Sequence, residues 1–281
     1  MRIAVTGGNG FIGKYLLKFL IKDKRNKIIN LYRSKEFKHT RIKNIKFDLS
    51  KKLKKNLYQE IGSPEYLIHL AWDNLNDYDS ESHLRTYTQN IKFFKKLYNC
   101  PIKKIFVMGT CFEYGKRSGE LKENFKTKPN NNYSRSKDKL KKILFNLFKK
   151  KRPLILWGRL FYIFGKGQNL RTLYGQLNKS IKGKKKSFNM SRGDQTRDYL
   201  DINNVINIII NILKKSNKSE VINICSGKPV SLKILVNNWL KKMKYKLKIN
   251  YGYYNYSKNE AKIFWGNSDR LNRILKANEN I

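Results

Sequence analysis

The chain has few acidic residues, cysteines or prolines and no long apolar run. Of its 281 residues, 20 are Asp or Glu, 3 are Cys and 5 are Pro. No apolar run approaches the roughly 20 residues that a membrane-spanning helix needs, so we predict no membrane span and a cytoplasmic protein. Cys100, Cys111 and Cys225 lack paired spacing, which argues against a disulfide framework and against a metal centre. No segment rich in Gly, Ser or Pro suggests a linker between domains.

The chain has 62 Lys and Arg against 20 acidic residues, which gives a formal net charge of +42. Such a charge can indicate binding to nucleic acid or to an anionic membrane. The lysines are spread along the whole chain, however, and accompany abundant Asn and Ile, a composition that AT-rich coding favours. We therefore interpret them mainly as solvated side chains, read the run Lys182–Lys186 as an exposed turn, and predict no specific nucleic-acid partner. Weak, salt-sensitive DNA binding is expected in either case.

Short β-branched segments alternate with longer segments of helical periodicity, the pattern of a parallel sheet covered by helices. Strands are predicted at Arg2–Thr6, Lys27–Tyr32, Ile45–Phe47, Tyr66–Leu70, Lys104–Met108, Leu154–Leu160 and Val221–Ile224. Helices are predicted at Gly10–Ile21, Ser82–Tyr98 and Tyr133–Lys149. The pattern predicts an α/β fold with a doubly wound parallel sheet.

A glycine-rich turn, TGGNGFIG at residues 6–13, joins the first strand to the first helix. Gly7 allows the tight turn, Gly10 lets the backbone approach a pyrophosphate, and Gly13 lets the helix pack against the strand. The unpaired N–H groups and the positive end of the helix dipole would face the phosphates. The context of strand, turn and helix predicts a dinucleotide-binding site.

TGGNGFIG resembles the TGxxGxxG fingerprint of the extended short-chain dehydrogenases/reductases, which include nucleotide-sugar epimerases, dehydratases and reductases. This resemblance implies a Rossmann domain at 1–160, to which 197–225 returns, and a smaller interwoven C-terminal substrate lobe at 161–196 and 226–281. It also implies the cofactor-contacting residues, which are Gly7, Gly10, Phe11, Ile12, Gly13, Asp48, Leu49 and Ala71. His69, inside an apolar strand, is interpreted as a packed core residue.

Coenzyme choice is read at the end of the second strand, where NAD enzymes commonly place an acid for the ribose hydroxyls. This chain has Tyr32-Arg33-Ser34 there. Because the guanidinium of Arg33 can bind a phosphate, we predict NADP(H) as the favoured cofactor, with NAD(H) possible. Alternatively, Arg33 is one more solvated cation.

The second signature of this family is Tyr-x-x-x-Lys, which occurs three times in a chain so rich in Tyr and Lys. The copies at 162/166 and 254/258 lack the right context. Only Tyr133 and Lys137 begin a long predicted helix downstream of a strand that Gly109-Thr110 follows. Helical spacing puts both side chains on one face. The lysine ammonium and the nicotinamide would then lower the pKa of Tyr133 toward the working pH.

The resemblance also implies a third catalytic residue, Thr110, which would hydrogen-bond the sugar oxygen. Lys137 would in addition bind the nicotinamide ribose. The 4,6-dehydratases of the family carry Asp-Glu directly after the catalytic Thr, whereas this chain has Cys111 and Phe112. Dehydration is therefore not expected, and Glu113 is interpreted as structural.

Two further segments resemble parts of the substrate lobe. RLFYIFG at 159–165 resembles an RxxNxYG segment, with Tyr162 in place of the usual Asn as a substrate contact. DQTRDYL at 194–200 resembles the stretch whose Arg binds the substrate diphosphate, here Arg197. The alternative for Arg197 is a structural ion pair.

Together these features predict an NAD(P)-dependent oxidoreductase that reduces a 4-keto-6-deoxy nucleotide-hexose. GTCFEYG at 109–115 and RLFYIFG at 159–165 also resemble a bacterial subgroup of sugar-nucleotide reductases, and this resemblance implies a role in surface-polysaccharide sugar biosynthesis. A nucleotide-sugar 4-epimerase is the alternative, because it would use the same three catalytic residues. A non-catalytic Rossmann protein with a polyanion-binding surface is a remoter one. The resemblance also implies a homodimer through the helices Ser82–Tyr98 and Tyr133–Lys149.

Overall fold

The computed structural model describes residues 1–149, 152–256 and 261–276. Its strands are β1 (Arg2–Thr6), β2 (Lys27–Tyr32), β3 (Ile42–Lys46), β4 (Tyr66–His69), β5 (Lys104–Thr110), β6 (Gly119–Leu121), β7 (Leu154–Leu160), β8 (Tyr162–Phe164), β9 (Ser187–Asn189), β10 (Thr196–Arg197), β11 (Tyr199–Asp201), β12 (Glu220–Ile224), β13 (Val230–Ser231), β14 (Lys248–Asn250) and β15 (Phe264–Gly266). Its helices are α1 (Phe11–Leu20), α2 (Leu57–Glu60), α3 (Ser82–Lys96), α4 (Asn132–Leu147), α5 (Leu173–Lys182), α6 (Ile202–Lys215), α7 (Leu232–Lys242) and α8 (Asp269–Lys276), with a 3₁₀ turn at Cys111–Tyr114.

Seven parallel strands form the central sheet, in the order β12-β7-β5-β4-β1-β2-β3. Helices α1 and α6 bury their apolar residues on one face, and α3 and α4 cover the other. The predicted doubly wound α/β fold is therefore confirmed. The strand order reverses between β1 and β4, and a crevice opens at the carboxyl ends of the strands at such a point.

The predicted strands all lie in this sheet; β1, β2 and β7 have the predicted ends, and the ends of the other four differ by one to three residues. Strand β3 begins at Ile42, three residues before the predicted Ile45. The apolar pattern misses Lys43 and Asn44 because these residues pair through their backbone at the edge of the sheet. Strand β5 continues two residues past its predicted end, to Thr110, and this extension carries the threonine to the crevice.

A smaller cluster packs outside the sheet, between α5, α7 and the paired strands β9 and β14. Its core includes Leu177, Phe188 and Trp239, which come from both segments of the predicted substrate lobe. Leu271 of α8 packs instead in the core cluster of α6. The lobe boundaries stay a prediction, and residues 257–260 and 277–281 lie outside the described part.

Further features concern the lysine-rich run, the cysteines and the packing of two helices. The run Lys182–Lys186 is exposed, with its first lysine ending α5 and the rest in the following turn. All three cysteines are free thiols. Among the described helices, none combines the length and apolarity that crossing a membrane requires. Helices α3 and α4 pack side by side, and the predicted homodimer through them stays a prediction.

Candidate active site

A cavity of about 980 Å³ opens at the carboxyl edge of the sheet. It brings together every predicted site residue except Arg197. Those lining it are Gly7, Gly10, Phe11, Ile12, Gly13, Arg33, Asp48, Leu49, Ala71, Thr110, Tyr133, Lys137 and Tyr162. Segments separated by more than 100 residues in sequence thus meet at one place, as expected where β1 and β4 diverge.

The glycine turn holds α1 close to β1. A Cβ at Gly13 would lie 2.2 Å from the carbonyl oxygen of Gly7, so a larger residue would push the helix away. Gly7 has a φ of 71°, a left-handed conformation that favours glycine. No side chain caps the start of α1 at Gly10, and its first N–H groups remain available to an anion. The turn therefore fits the phosphates of a dinucleotide.

Arg33, predicted to bind a coenzyme phosphate, lies at the rim of this cavity. Its Nη1 contacts both carboxylate oxygens of Asp73, at 2.9 and 3.0 Å. Both side chains are about half exposed, so the pair contributes little to stability. The guanidinium is thus already paired in this structure.

Tyr133 lies in the cavity wall at the first turn of α4 and is 8% exposed. Its ring stacks on Tyr78 with centroids 5.2 Å apart, and its backbone N–H donates to the Tyr78 carbonyl at 2.9 Å. The side chain of Thr110 is in hydrogen-bonding position to the phenol. Sequence and structure therefore agree in placing the threonine hydroxyl beside the tyrosine.

The pKa of Tyr133 departs from the sequence-based expectation. Burial raises this pKa above its ordinary value, with Tyr78 and Glu113 adding to the increase, while Thr110 opposes it. We expected a lowered pKa, but the removal of the phenol from water has the larger effect. The phenol is consequently protonated at neutral pH, the form that can donate a proton.

Lys137 lies one helical turn after Tyr133 and is 2% exposed. Its Nζ donates to the Met108 carbonyl at 2.7 Å and lies 3.9 Å from the ring centroid of Trp72. Burial lowers the pKa of Lys137 to about 7, while Glu113 opposes the decrease. A lysine that changes charge near neutral pH therefore lies in the same cavity wall as the phenol.

Glu113, interpreted from the sequence as structural, anchors the turn that carries Thr110. The glutamate is fully buried. Its Oε1 accepts from the Thr110 backbone N–H at 3.1 Å and from Trp157 Nε1 at 2.8 Å, and its Oε2 accepts from Arg159 Nε at 2.9 Å. This arrangement fixes the end of β5 and with it the threonine hydroxyl.

The depressed pKa of Lys137 predicts a pH-dependent stability. Between pH of about 7 and the ordinary lysine value of 10.5 the unfolded chain holds a proton that the folded protein lacks. The free energy of unfolding therefore increases with pH in that window, by at most about 1.4 kcal/mol per pH unit. Lys137→Met removes this gain.

Urea unfolding at pH 7, 8 and 9 tests this expectation. The difference in unfolding free energy, wild type minus Lys137→Met, should increase with pH. Lys139→Met, an exposed substitution on the same helix, is the control. Parallel pH curves for wild type and Lys137→Met would show that the buried amine has no unusual protonation.

Of the predicted substrate residues Tyr162 and Arg197, only the tyrosine lines the cavity. Tyr162 lines the cavity and stacks on Tyr199 with centroids 5.1 Å apart. Arg197 is 4% exposed and does not line the cavity; its Nη1 donates to the carbonyls of Thr196 and Lys262. Its guanidinium carbon lies 4.4 Å from the ring centroid of Phe264 and 5.8 Å from that of Tyr162, the residue that lines the cavity. Its role toward a diphosphate stays a prediction.

The sequence did not predict several residues that lie in the cavity wall or, like His83, pack behind it against Tyr133. Trp72, Tyr78 and His83 surround Tyr133, with ring centroids 5.2 to 6.0 Å from it. Arg171 lines the cavity just before α5 and is exposed. The aromatic residues that follow β4 are the only sequence signal for the rings around Tyr133. Their approach to Tyr133 depends on the packing of α3 against α4, which the sequence does not reveal.

His69 lies in the core and does not line the cavity. His69 is fully buried against Phe93 and Phe94, and burial lowers its pKa to about 3, so it stays neutral. Within residues 1–149, 152–256 and 261–276, no group of His, Cys, Asp and Glu is arranged to hold a metal ion.

Known proteins that are similar to this chain include two nucleotide-sugar 4-dehydrogenases and a 4-epimerase. The chain is 29% identical over 274 residues to dTDP-6-deoxy-L-talose 4-dehydrogenase (NAD(+)) of Aggregatibacter actinomycetemcomitans, covering 95% of this chain and 99% of that protein. It is 28% identical to GDP-6-deoxy-D-talose 4-dehydrogenase of the same organism, covering 81% and 75%. Bacillus cereus UDP-glucuronic acid 4-epimerase, in complex with UDP-glucuronic acid and NAD, has a similar fold, with a TM-score of 0.84, 20% identity and coverage of 100% and 95%.

A family model covers most of the chain as well. The model of the NAD dependent epimerase/dehydratase family matches residues 3–225, which include the glycine turn, Thr110, Tyr133 and Lys137. The predicted extended short-chain dehydrogenase/reductase enzyme is thereby confirmed, and the chain belongs to the NAD dependent epimerase/dehydratase family.

Proposed function

We propose that this enzyme reduces the C4 carbonyl of a 4-keto-6-deoxy nucleotide-hexose, in the biosynthesis of surface-polysaccharide sugars. The observation that carries the proposal is that Thr110, Tyr133 and Lys137 line the same cavity as the glycine turn. Two relatives are named as 4-dehydrogenases of 6-deoxytalose nucleotides. Oxidation at C4 of such a sugar is the reverse of the proposed reduction.

The side chains divide the chemistry between them. Tyr133 donates its phenolic proton to the C4 oxygen as negative charge develops there. Thr110 hydrogen-bonds the same oxygen and orients the phenol. The Lys137 ammonium stabilises the phenolate that remains, since an opposite charge nearby favours the ionised form. A nicotinamide coenzyme bound at the glycine turn supplies the hydride.

A row of aromatic rings leads away from Tyr133 along the cavity and supports a 6-deoxy sugar. Tyr78 packs against Phe112 with centroids 5.2 Å apart, and Phe112 lies 6.1 Å from Tyr162. These rings offer apolar surface to a pyranose face and to the methyl group at C6. Packing a carboxylate against these rings instead of a methyl group would cost desolvation of its charge.

Arg171 supports a nucleotide diphosphate as part of the substrate. It precedes α5, whose N-cap Thr172 accepts a hydrogen bond from Gly175 N–H at 3.1 Å. A guanidinium beside a helix N-terminus provides both charge and donors for phosphate oxygens. We therefore propose Arg171 as a diphosphate contact, in addition to the predicted Arg197.

The coenzyme is proposed to be NAD(H). The predicted preference for NADP(H) rests on Arg33, whose charge is already balanced by the Asp73 carboxylate. A relative named for NAD(+) adds to the case for NAD(H). Both coenzymes belong in the same assay.

The experiment is to incubate the protein with NADH or NADPH and a panel of dTDP-, GDP-, CDP- and UDP-linked 4-keto-6-deoxy sugars. We expect one coenzyme to be oxidised for each sugar converted, followed by the absorbance at 340 nm. An epimerase would convert a nucleotide sugar without net coenzyme consumption. A non-catalytic binding protein would do neither, and sequence-dependent DNA binding at physiological salt would then favour that alternative.

A further inference from the structure

The indole of Trp72 extends from the loop after β4 to the face of α4 that carries Tyr133 and Lys137. It is half-buried, and its ring centroid is 3.9 Å from Lys137 Nζ, well within the distance of a cation–π contact. The same ring lies edge-on to Tyr133, with centroids 6.0 Å apart and planes at 70°. Trp72 therefore touches both members of the Tyr-Lys pair.

The orientation of this indole is fixed from its other side. Trp72 Nε1 donates to His83 Nδ1 at 3.0 Å, and the two rings are stacked at 22°. Because Nδ1 accepts this hydrogen bond, the proton of the neutral imidazole lies on Nε2, which donates to the Asp77 carbonyl at 2.8 Å. The buried His83 thus holds the face of the indole toward Lys137.

We propose that Trp72 is a positioning residue, which holds the Lys137 ammonium in the cavity wall that also carries Tyr133 by presenting the face of its indole to the charge. The ammonium has few other stabilising contacts among the described residues. Met108 supplies one carbonyl oxygen, and the Glu113 carboxylate favours the charged form from the 3₁₀ turn. The consequence for catalysis rests on the proposed function, whereas the contact itself does not.

The groups that face Lys137 set the direction of the expected effect. Burial disfavours the ammonium, Glu113 favours it, and the neighbouring His69 and Tyr133 are uncharged at neutral pH. Removing the indole face should therefore favour the neutral amine. A cation–π contact of ordinary strength corresponds to a decrease of about half a pH unit or more in the titration midpoint of Lys137.

The test is NMR titration of protein labelled with ¹³C at the lysine ε-carbon, without substrate or coenzyme. The Lys137 signal is assigned by its loss in Lys137→Arg. Wild type is compared with Trp72→Leu, which removes the π face, and Trp72→Phe, which retains one without the indole N–H. Trp265→Leu changes another half-buried tryptophan and is the matched control.

We expect Trp72→Leu to lower the midpoint of Lys137, Trp72→Phe to restore most of the wild-type value, and Trp265→Leu to leave it unchanged. Equal midpoints in all variants, or equal shifts in the Leu and Phe variants, would overturn the proposal. A raised midpoint in Trp72→Leu would also overturn it, since Trp72 would then act only by excluding water. If Trp72→Leu does not fold, Trp72→Met replaces it.

This readout separates the inference from the proposed reaction. A wild type that reduces no keto sugar contradicts the proposed function but leaves the titration as it is. Once a substrate is found, the alkaline limb of kcat/KM should move in Trp72→Leu in parallel with the NMR midpoint and return in Trp72→Phe.

Discussion

Tyr133→Phe is expected to lower turnover by about 10²- to 10⁴-fold, the usual contribution of a positioned proton donor. The phenylalanine ring keeps the stacking on Tyr78 and the position in the cavity wall, and only the phenolic hydroxyl is lost. Affinity for the coenzyme should stay nearly unchanged, because the glycine turn that would hold its phosphates is not altered. The measurements are kcat with the best keto sugar and the coenzyme Kd by fluorescence.

Tyr254→Phe provides a matched control, since this tyrosine carries the same sequence spacing to a lysine but is 54% exposed. Its turnover should equal that of wild type. If Tyr133→Phe retains a tenth or more of the wild-type rate, the assignment of the proton donor is wrong.

Gly13→Ala is expected to weaken coenzyme binding by between tenfold and a hundredfold, at about 1.4 kcal/mol for each factor of ten. The added methyl group would lie 2.2 Å from the Gly7 carbonyl oxygen and 2.6 Å from the Cα of Gly8, both of them backbone atoms. The first turn of α1 must therefore move away from the loop, and its free N–H groups move with it. Isothermal titration with NAD(H) measures the change.

Gly183→Ala is the control, at a glycine that ends α5 with ordinary φ and with the nearest atom 3.3 Å from the added Cβ. Coenzyme affinity should not change in this variant. Wild-type affinity in Gly13→Ala would contradict the phosphate-binding role of the turn.

The parts of the fold and site that could be predicted are those with local signals. The glycine turn is recognisable because strand, turn and helix follow one another within 20 residues, and the Tyr-Lys pair because it begins a helix. The Rossmann sheet follows from its β-branched strands. In each case the chemistry that defines the feature lies within a few residues of sequence.

Features that depend on distant packing could not be predicted. Helix α6 is rich in Ile, a residue of high β-propensity, and its helical state rests on Asp201 capping its start and on burial against the sheet. The raised pKa of Tyr133 comes from burial under the loop of Tyr78, which no spacing reveals. The pairing of Arg33 with Asp73 joins residues 40 positions apart.

The most direct test of the central claim repeats the reduction with coenzyme carrying deuterium at the transferable C4 position of the nicotinamide. We predict a product with one deuterium at C4 of the sugar, formed by wild type and formed about 10²- to 10⁴-fold more slowly by Tyr133→Phe. A product without deuterium, or deuterium at another carbon of the sugar, would contradict it.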